Sequence, residues 1–246
     1  FLTGFPISYY AARYGLDIDL MTRGAGFGYL GSTITSLIYA SFTFIFFALE
    51  AAILALALEF CLGVPLFLGY LVSSLVVIPL VINGFSKISS FQTVTQPFWV
   101  LLHVLPFVFL AFVGYDIDAW TSFSGPAEAA TDPTQLYYVA FGQILESPAL
   151  VLAITGIFVA LSQMKINVTN AYAGSIAWSN FFSRLTQSHP GRVVWLVFNV
   201  GIALLLMELG VFTGLEHVLG VYSHVAVAWI GALVADLVVN KSLGLS

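Results

Sequence analysis

The feature that most constrains this chain is a series of long segments without a single charged residue. Residues 27–49, 88–115 and 147–164 contain no Asp, Glu, Lys or Arg. Only 8% of the whole chain is charged and 60% is hydrophobic, whereas soluble domains have about 25% charged residues. Such a chain cannot cover itself with a water-facing surface. It is predicted to be an all-α membrane protein, a polytopic helical bundle embedded in a lipid bilayer.

About six segments reach or approach the roughly 20 residues that a helix needs to cross the hydrocarbon layer. The first and fourth are longer than needed, so we expect them to tilt or to project from the membrane. The predicted spans are residues 27–58, 64–84, 97–114, 149–183, 193–213 and 217–238.

Two shorter regions complete the predicted single transmembrane domain, residues 1–246. Residues 115–135 are rich in Gly, Pro, Ser and Asp, which predicts an irregular external loop. Residues 136–147 are apolar and aromatic but too short to span, and Pro148 interrupts them, so we expect an interfacial helix there. Both ends of the chain are expected to be incomplete, because it begins at Phe1 in a polar stretch and stops just beyond a predicted helix.

The positive charges support six spans. Under that count the six basic residues outside the spans all fall on one side of the membrane, and the opposite loops hold acidic residues without Lys or Arg. The positive-inside rule then predicts a multi-pass protein of the cell (cytoplasmic) membrane with a cytoplasmic N-terminal side. The basic residues are Arg13, Arg23, Lys87, Arg184, Arg192 and Lys241.

The composition and motifs argue against several functions. No basic cluster indicates a nucleic-acid partner, and the lone Cys61 excludes an internal disulfide. The sequence contains no metal-ligand cluster, no nucleophile beside a base and no phosphate-binding loop, so we expect no enzyme activity, catalytic residue, metal or cofactor.

Lys165 interrupts the fourth apolar segment. A charge at bilayer depth costs on the order of 3 kcal/mol on insertion scales, so a lysine there is expected to have a counter-charge or a function. Glu50 or Glu208 could supply the charge, and the sequence does not choose between them. Without such a partner, the lysine could instead exchange a proton.

The fourth segment carries two polar stripes on nearly opposite faces. Ser162, Lys165 and Thr169 belong to one, while Gln163, Asn167 and Asn170 belong to the other. Neither can face lipid, which predicts a central helix with protein or water-filled space on both sides. The alternative is that the amides and hydroxyls only join helices, at about 0.6 kcal/mol per contact.

The segment GFGYLG, residues 26–31, has the form of a nucleotide-binding fingerprint but lacks the strand that such a site requires. We expect its glycines to let helix backbones approach closely. Tyr29 and Thr33 then offer a ring and a hydroxyl to a flat polar ligand. The alternative is an ordinary packed tyrosine.

Three stretches resemble the nucleobase–cation symport family of purine, cytosine, uracil, allantoin and hydantoin permeases. RYGLDIDLMTRGAGFGYLGSTITS is similar to the start of that family's third helix, and SQMKINVTNAYAGSIAWSNFFSRL to its eighth. SHVAVAWIGALVADLVVNKSLGL is similar to the tenth. The resemblance implies a partial five-plus-five inverted-repeat transporter fold without helices 1, 2, 6 and 7.

The same resemblance implies roles for individual residues. Tyr29 stands at the substrate-stacking position, Thr33 at a hydrogen-bonding position, and Asn167 and Asn170 approximate the asparagines of helix eight. The family's sodium site would fall near Ser162, Lys165 and Ile166, where an ammonium and an isoleucine replace oxygen ligands. Lys165 is therefore expected to substitute for sodium.

These expectations together predict a permease that carries small nucleobase-like heterocycles without sodium, by proton coupling or facilitated transport. The alternative is a permease-like sensing domain, with a signalling domain such as a kinase C-terminal to it in the full-length protein. The reading frame beyond Ser246 would distinguish the two.

Overall fold

The computed structural model describes residues 2–113, 132–210 and 212–245, and every regular element among them is helical. Two π-helical turns, Arg23–Phe27 and Asp236–Asn240, lie within longer helical segments. The α-helices are α1 Gly4–Tyr14, α2 Ile18–Thr22, α3 Gly28–Leu62, α4 Leu66–Leu75, α5 Ile78–Ile82, α6 Phe85–Val113, α7 Pro133–Gly142, α8 Pro148–Thr186, α9 Arg192–Glu208, α10 Phe212–Ala235 and α11 Lys241–Leu243.

Local sequence explains where several helices begin and end. The Asp17 side chain accepts a hydrogen bond from the Leu20 amide at 2.8 Å and caps α2. Gly63, with φ of +67°, ends α3 in the left-handed conformation that glycine adopts readily. The Asp132 side chain caps α7. Pro148 is the first residue of α8, a position whose backbone N–H would have no partner within the helix, so proline loses no hydrogen bond there.

Three helical segments in the described part of the chain are long and apolar enough to cross a membrane: Ile18–Leu62, Pro148–Thr186 and Val218–Leu243. The pair Leu66–Ile82 and Phe85–Phe109, bent by 115° at its break, provides a fourth candidate. These helices indicate an all-α, membrane-embedded protein.

The count is lower than the six spans predicted, and the bend explains part of the difference. Gly84, with φ of +84°, follows the end of α5, and α6 begins at once at Phe85 rather than near residue 97. Pro97 is accommodated inside α6 instead of starting it. The predicted fifth span corresponds to α9, which has only 17 residues and is followed by a turn at Gly210.

The distribution of side chains fits a lipid environment. Large apolar side chains such as Leu30, Phe112 and Val227 are exposed, whereas polar ones such as Asn167 and Asn199 are fully buried. Water would favour the opposite arrangement. The exposed apolar faces can therefore be covered by lipid, while the polar groups meet one another inside.

Helix α8 is central. It packs along α3 and also contacts α6, α7 and α9. At Gly174, an added methyl group would come within 2.6 Å of the Thr43 hydroxyl on α3 and 2.5 Å of the Asn199 amide oxygen on α9. This small residue lets the three helices meet, as is common in membrane bundles.

The glycines near the start of the first long helix do not have the role predicted for them. An added Cβ at Gly24, Gly26 or Gly28 would meet no atom within 4 Å, so no backbone packs against them. Gly26 and Gly28 instead adopt φ of +81° and +64°, and the helix is interrupted between α2 and α3. They are needed for their conformational freedom rather than their small size.

The predicted external loop, residues 115–135, lies mainly outside the described residues. A helix overlaps the one expected at 136–147, but this α7 begins at Pro133 and ends at Gly142, so it is shifted towards the N-terminus. Phe141 of α7 is fully buried in a cluster with Phe158 of α8. Its position at a membrane interface stays a prediction.

Candidate functional site

Lys165 lies in the middle of α8 and directs its amine towards α6. Nζ donates hydrogen bonds to the backbone carbonyl oxygen of Gln92 at 3.0 Å and to Thr95 Oγ1 at 3.1 Å. In return, the side-chain nitrogen Nε2 of Gln92 donates to the backbone carbonyl of Lys165 at 2.7 Å and to Thr169 Oγ1 at 3.3 Å. The two helices are joined by a reciprocal set of polar contacts around one lysine.

The counter-charge expected for Lys165 is not found within the described residues, where Arg184 and Asp19 form the one ion pair. Neither Glu50 nor Glu208 contacts the amine. Lys165 is nonetheless only 8% exposed. Two neutral oxygens therefore hold a buried ammonium group, which leaves its charge without a neighbouring carboxylate in this part of the chain.

Glu50 has a different partner. In the amide orientation that satisfies its hydrogen bonding, Gln163 donates from its side-chain nitrogen to the Glu50 carboxylate. Gln163 precedes Lys165 by two residues and so points away from it across the helix. The carboxylate and the ammonium consequently lie on different sides of α8.

The two polar stripes of α8 have partly different neighbours, although Gln163 and Asn170 of the second stripe line the lysine cavity described below together with the first. Ser162, Lys165 and Thr169 contact α6. Gln163 contacts α3, and Gly174 lies against α3 and α9. The prediction that both stripes face protein or a cavity is confirmed.

A cavity of about 520 Å³ lies beside Lys165, between α6, α7 and α8. We call it the lysine cavity. One part of its wall is aromatic: Trp99 and His103 stack with ring centroids 4.9 Å apart and an angle of 11° between their planes. Tyr137 and Phe158 continue this wall, with their centroids 4.4 Å apart. Its volume is typical of a small-molecule site.

The aromatic wall is fixed by hydrogen bonds. Trp99 Nε1 donates to Ser162 Oγ at 3.0 Å, and the Tyr137 hydroxyl lies 3.0 Å from His103 Nδ1. A tyrosine phenol is protonated at neutral pH and can donate to His103, and burial raises the pKa of Tyr137 further. The rings are held in place before any ligand arrives.

The rest of the wall is polar and includes side chains from α6 and α8. The Asn170 amide nitrogen is buried and has no hydrogen-bond partner among the described residues. A buried donor without an acceptor is unfavourable, by about 1–3 kcal/mol. A ligand with an acceptor group could relieve it. The polar lining residues are Gln92, Gln96, Ser162, Gln163, Lys165, Thr169 and Asn170.

The structure brings together only some of the predicted site residues. Ser162, Lys165, Ile166 and Asn170 all line the lysine cavity. Asn167 does not line it: its side chain is fully buried, and both amide atoms lack hydrogen-bond partners in the described part of the chain.

Tyr29 and Thr33 lie elsewhere. The Tyr29 ring is 48% exposed and has the guanidinium carbons of Arg23 and Arg184 at 5.1 and 5.9 Å from its centre. Arg184 follows Asn170 by 14 residues, or about 21 Å along the axis of α8. Thr33 Oγ1 donates to the Tyr29 carbonyl at 2.9 Å. Tyr29 and Thr33 therefore do not share a pocket with Asn170.

A second polar cluster surrounds the interruption between α2 and α3. Arg184 of α8 forms an ion pair with the buried Asp19 of α2 and also donates to Ser32 and Ser36 of α3, at 3.2 and 3.0 Å. Ser36 donates to the same carboxylate. This network ties both sides of the helix break to α8.

Sequence reasoning missed most of the α6 residues at the cavity. The third span was expected to begin only near residue 97, which left Gln92 and Gln96 outside it. Four of these residues lie on one helical face, because they follow one another at i, i+4, i+7 and i+11: Gln92, Gln96, Trp99 and His103. That pattern could have identified the wall if α6 had been predicted to start at Phe85.

Comparison with protein-family models, curated proteins and solved structures gave no match. The likeness to nucleobase–cation symporters therefore rests on the residues of the chain alone, and membership of that family stays a prediction.

Proposed function

We propose that this protein is a secondary transporter of small nucleobase-like heterocycles, working in the cytoplasmic membrane with its N-terminal side in the cytoplasm. The lysine cavity is the proposed substrate site. We further propose that transport needs no sodium, and that the helices belong to a partial five-plus-five inverted repeat.

The observation that carries this proposal is the set of oxygens around the Lys165 amine. Transporters of this general kind coordinate sodium with backbone carbonyls at breaks in their helices. Here an ammonium is held instead by a carbonyl and a hydroxyl within the continuous helix α6, those of Gln92 and Thr95. This fixed cation would take the place of a mobile one.

The cavity also suits the proposed ligand. The Trp99–His103 pair offers ring faces for stacking, and Gln96 and Asn170 offer amide groups that can pair with ring nitrogens and carbonyl oxygens. A flat, polar heterocycle matches both surfaces.

Uptake into proteoliposomes tests this proposal. Radiolabelled uracil, cytosine, hypoxanthine, allantoin and orotate would be offered to the wild-type protein, to Trp99→Ala and to Phe98→Ala. Phe98 is the matched control, because this neighbouring aromatic residue is 63% exposed and does not line the cavity. We expect Trp99→Ala to lower uptake by a factor of about 5 to 150, since base–aromatic stacking contributes about 1–3 kcal/mol. Phe98→Ala should transport normally.

Two results would contradict the proposal. Equal uptake by the two variants would show that the substrate does not bind in the lysine cavity. Binding of a heterocycle without uptake of any of them would instead favour the sensing function.

A further inference from the structure

We propose that the ligand of the lysine cavity is an acidic heterocycle, a single flat ring that carries a carboxylate. This inference names the substrate class of the transport function proposed above and rests on that function. It follows from the charge of the cavity, its hydrogen-bond donors and the position of its rings.

The charge of the cavity is positive. Its titratable lining residues are Lys165, His103 and Tyr137, and no Asp or Glu of the described residues lines it. The Glu50 carboxylate of α3 is bonded to Gln163, and Glu50 itself does not line the cavity. A ligand carboxylate could therefore reach the ammonium without competition from a described acidic side chain.

The cavity also offers hydrogen-bond donors to a ligand. An ammonium carries three hydrogens, and within the described chain Gln92 and Thr95 accept two of them. The Asn170 amide nitrogen, buried and without a partner there, is a further donor. Asn170 lies five residues after Lys165, about 7.5 Å along the axis of α8, and both residues line the cavity. A carboxylate has two oxygens with which to accept from both.

The ring site lies one turn away from the ammonium. Trp99 donates to Ser162, which precedes Lys165 by three residues, or about 4.5 Å along the helix axis. This offset is comparable to the distance from the centre of a six-membered ring to an attached carboxylate. The ring would stack in the Trp99 region while the carboxylate pairs with Lys165.

Binding experiments with matched pairs of ligands test the inference. Orotate is uracil with a carboxylate added to its ring, and nicotinate differs from nicotinamide by carboxylate in place of amide. Equilibrium binding would be measured on the purified protein in detergent, for the wild type, Lys165→Met and the control Lys241→Met. Lys241 lies over Tyr10, away from the cavity.

We expect the wild type and Lys241→Met to bind each acid at least tenfold more tightly than its neutral partner, as a charge-assisted hydrogen bond allows. In Lys165→Met this preference should disappear, while uracil still binds and shows that the protein is folded. A second variant, Asn170→Asp, should weaken orotate binding more than uracil binding, because it replaces a donor with a negative charge.

The failures are distinguishable. Uracil binding as tight as orotate in the wild type, or an acid preference that survives Lys165→Met, would overturn the inference and leave the transport proposal standing. Absence of both binding and uptake for every heterocycle, acidic or neutral, would overturn the two together.

Discussion

At the residue scale, the protein contains two buried cations in different surroundings. Arg184 is paired with Asp19, and their side chains are 9% and 6% exposed. Lys165 is held by neutral oxygens. Removing one member of a buried ion pair leaves an uncompensated charge, whereas removing Lys165 leaves none.

This contrast predicts different effects on stability. Arg184→Met should lower the free energy of unfolding by about 3–5 kcal/mol, because Asp19 remains buried and unpaired. Lys165→Met should lower it by less than about 2 kcal/mol, since Thr95 keeps its hydrogen bond to the Phe91 carbonyl at 2.6 Å. Unfolding by a denaturing detergent, followed by tryptophan fluorescence, measures both.

The double variant Asp19→Asn/Arg184→Met provides the control, and it should recover part of the stability lost in Arg184→Met. Equal destabilisation by Arg184→Met and Lys165→Met would contradict the assignment of partners.

The partners of Lys165 could not be predicted from the sequence for a physical reason. The search for a counter-charge considers acidic residues, but the amine is bound by a backbone carbonyl and a hydroxyl that lie 73 and 70 residues away along the chain. Any helix can present such groups. Only the packing of α6 on α8 selects these two.

At the element scale, apolar periodicity identifies the bodies of the long helices but not their interruptions. The polar stretch of residues 86–96 does not resemble a membrane helix, yet it forms the first turns of α6 because Gln92 and Thr95 bond to α8. The glycines at residues 24–31 suggested close packing, although two of them have positive φ angles that interrupt the helix.

The helix break gives a direct test of that correction. Gly26→Ala should lower the free energy of unfolding by about 1–2 kcal/mol, because alanine is strained at φ of +81°. Gly24→Ala is the matched control: it also has open space around an added Cβ, but its φ is not in the left-handed region. It should be neutral or slightly stabilising.

Circular dichroism would confirm that both glycine variants remain helical, and detergent unfolding would compare their stabilities. If Gly24→Ala proved the more damaging of the two, close packing rather than backbone conformation would govern this segment.

At the scale of the whole molecule, polar groups lie inside the bundle and apolar side chains lie on its surface. This arrangement is expected because a bilayer core contains no water. Composition alone therefore predicted an all-α membrane protein. It could not predict which polar residues share a cavity, because Tyr29 and Asn170 both belong to polar stretches but lie at different levels of the bundle. The charges of the loops predict which side of the membrane the N-terminus faces, which the helices themselves do not determine.

The central claim is that the Lys165 ammonium stands where a transported cation would bind. The most direct measurement is the affinity of the wild-type protein for orotate and uracil as sodium replaces choline, from near zero to about 0.15 M at constant ionic strength. We expect affinities that do not change with sodium. A wild-type affinity that rises with sodium concentration while Lys165 is intact would contradict this claim.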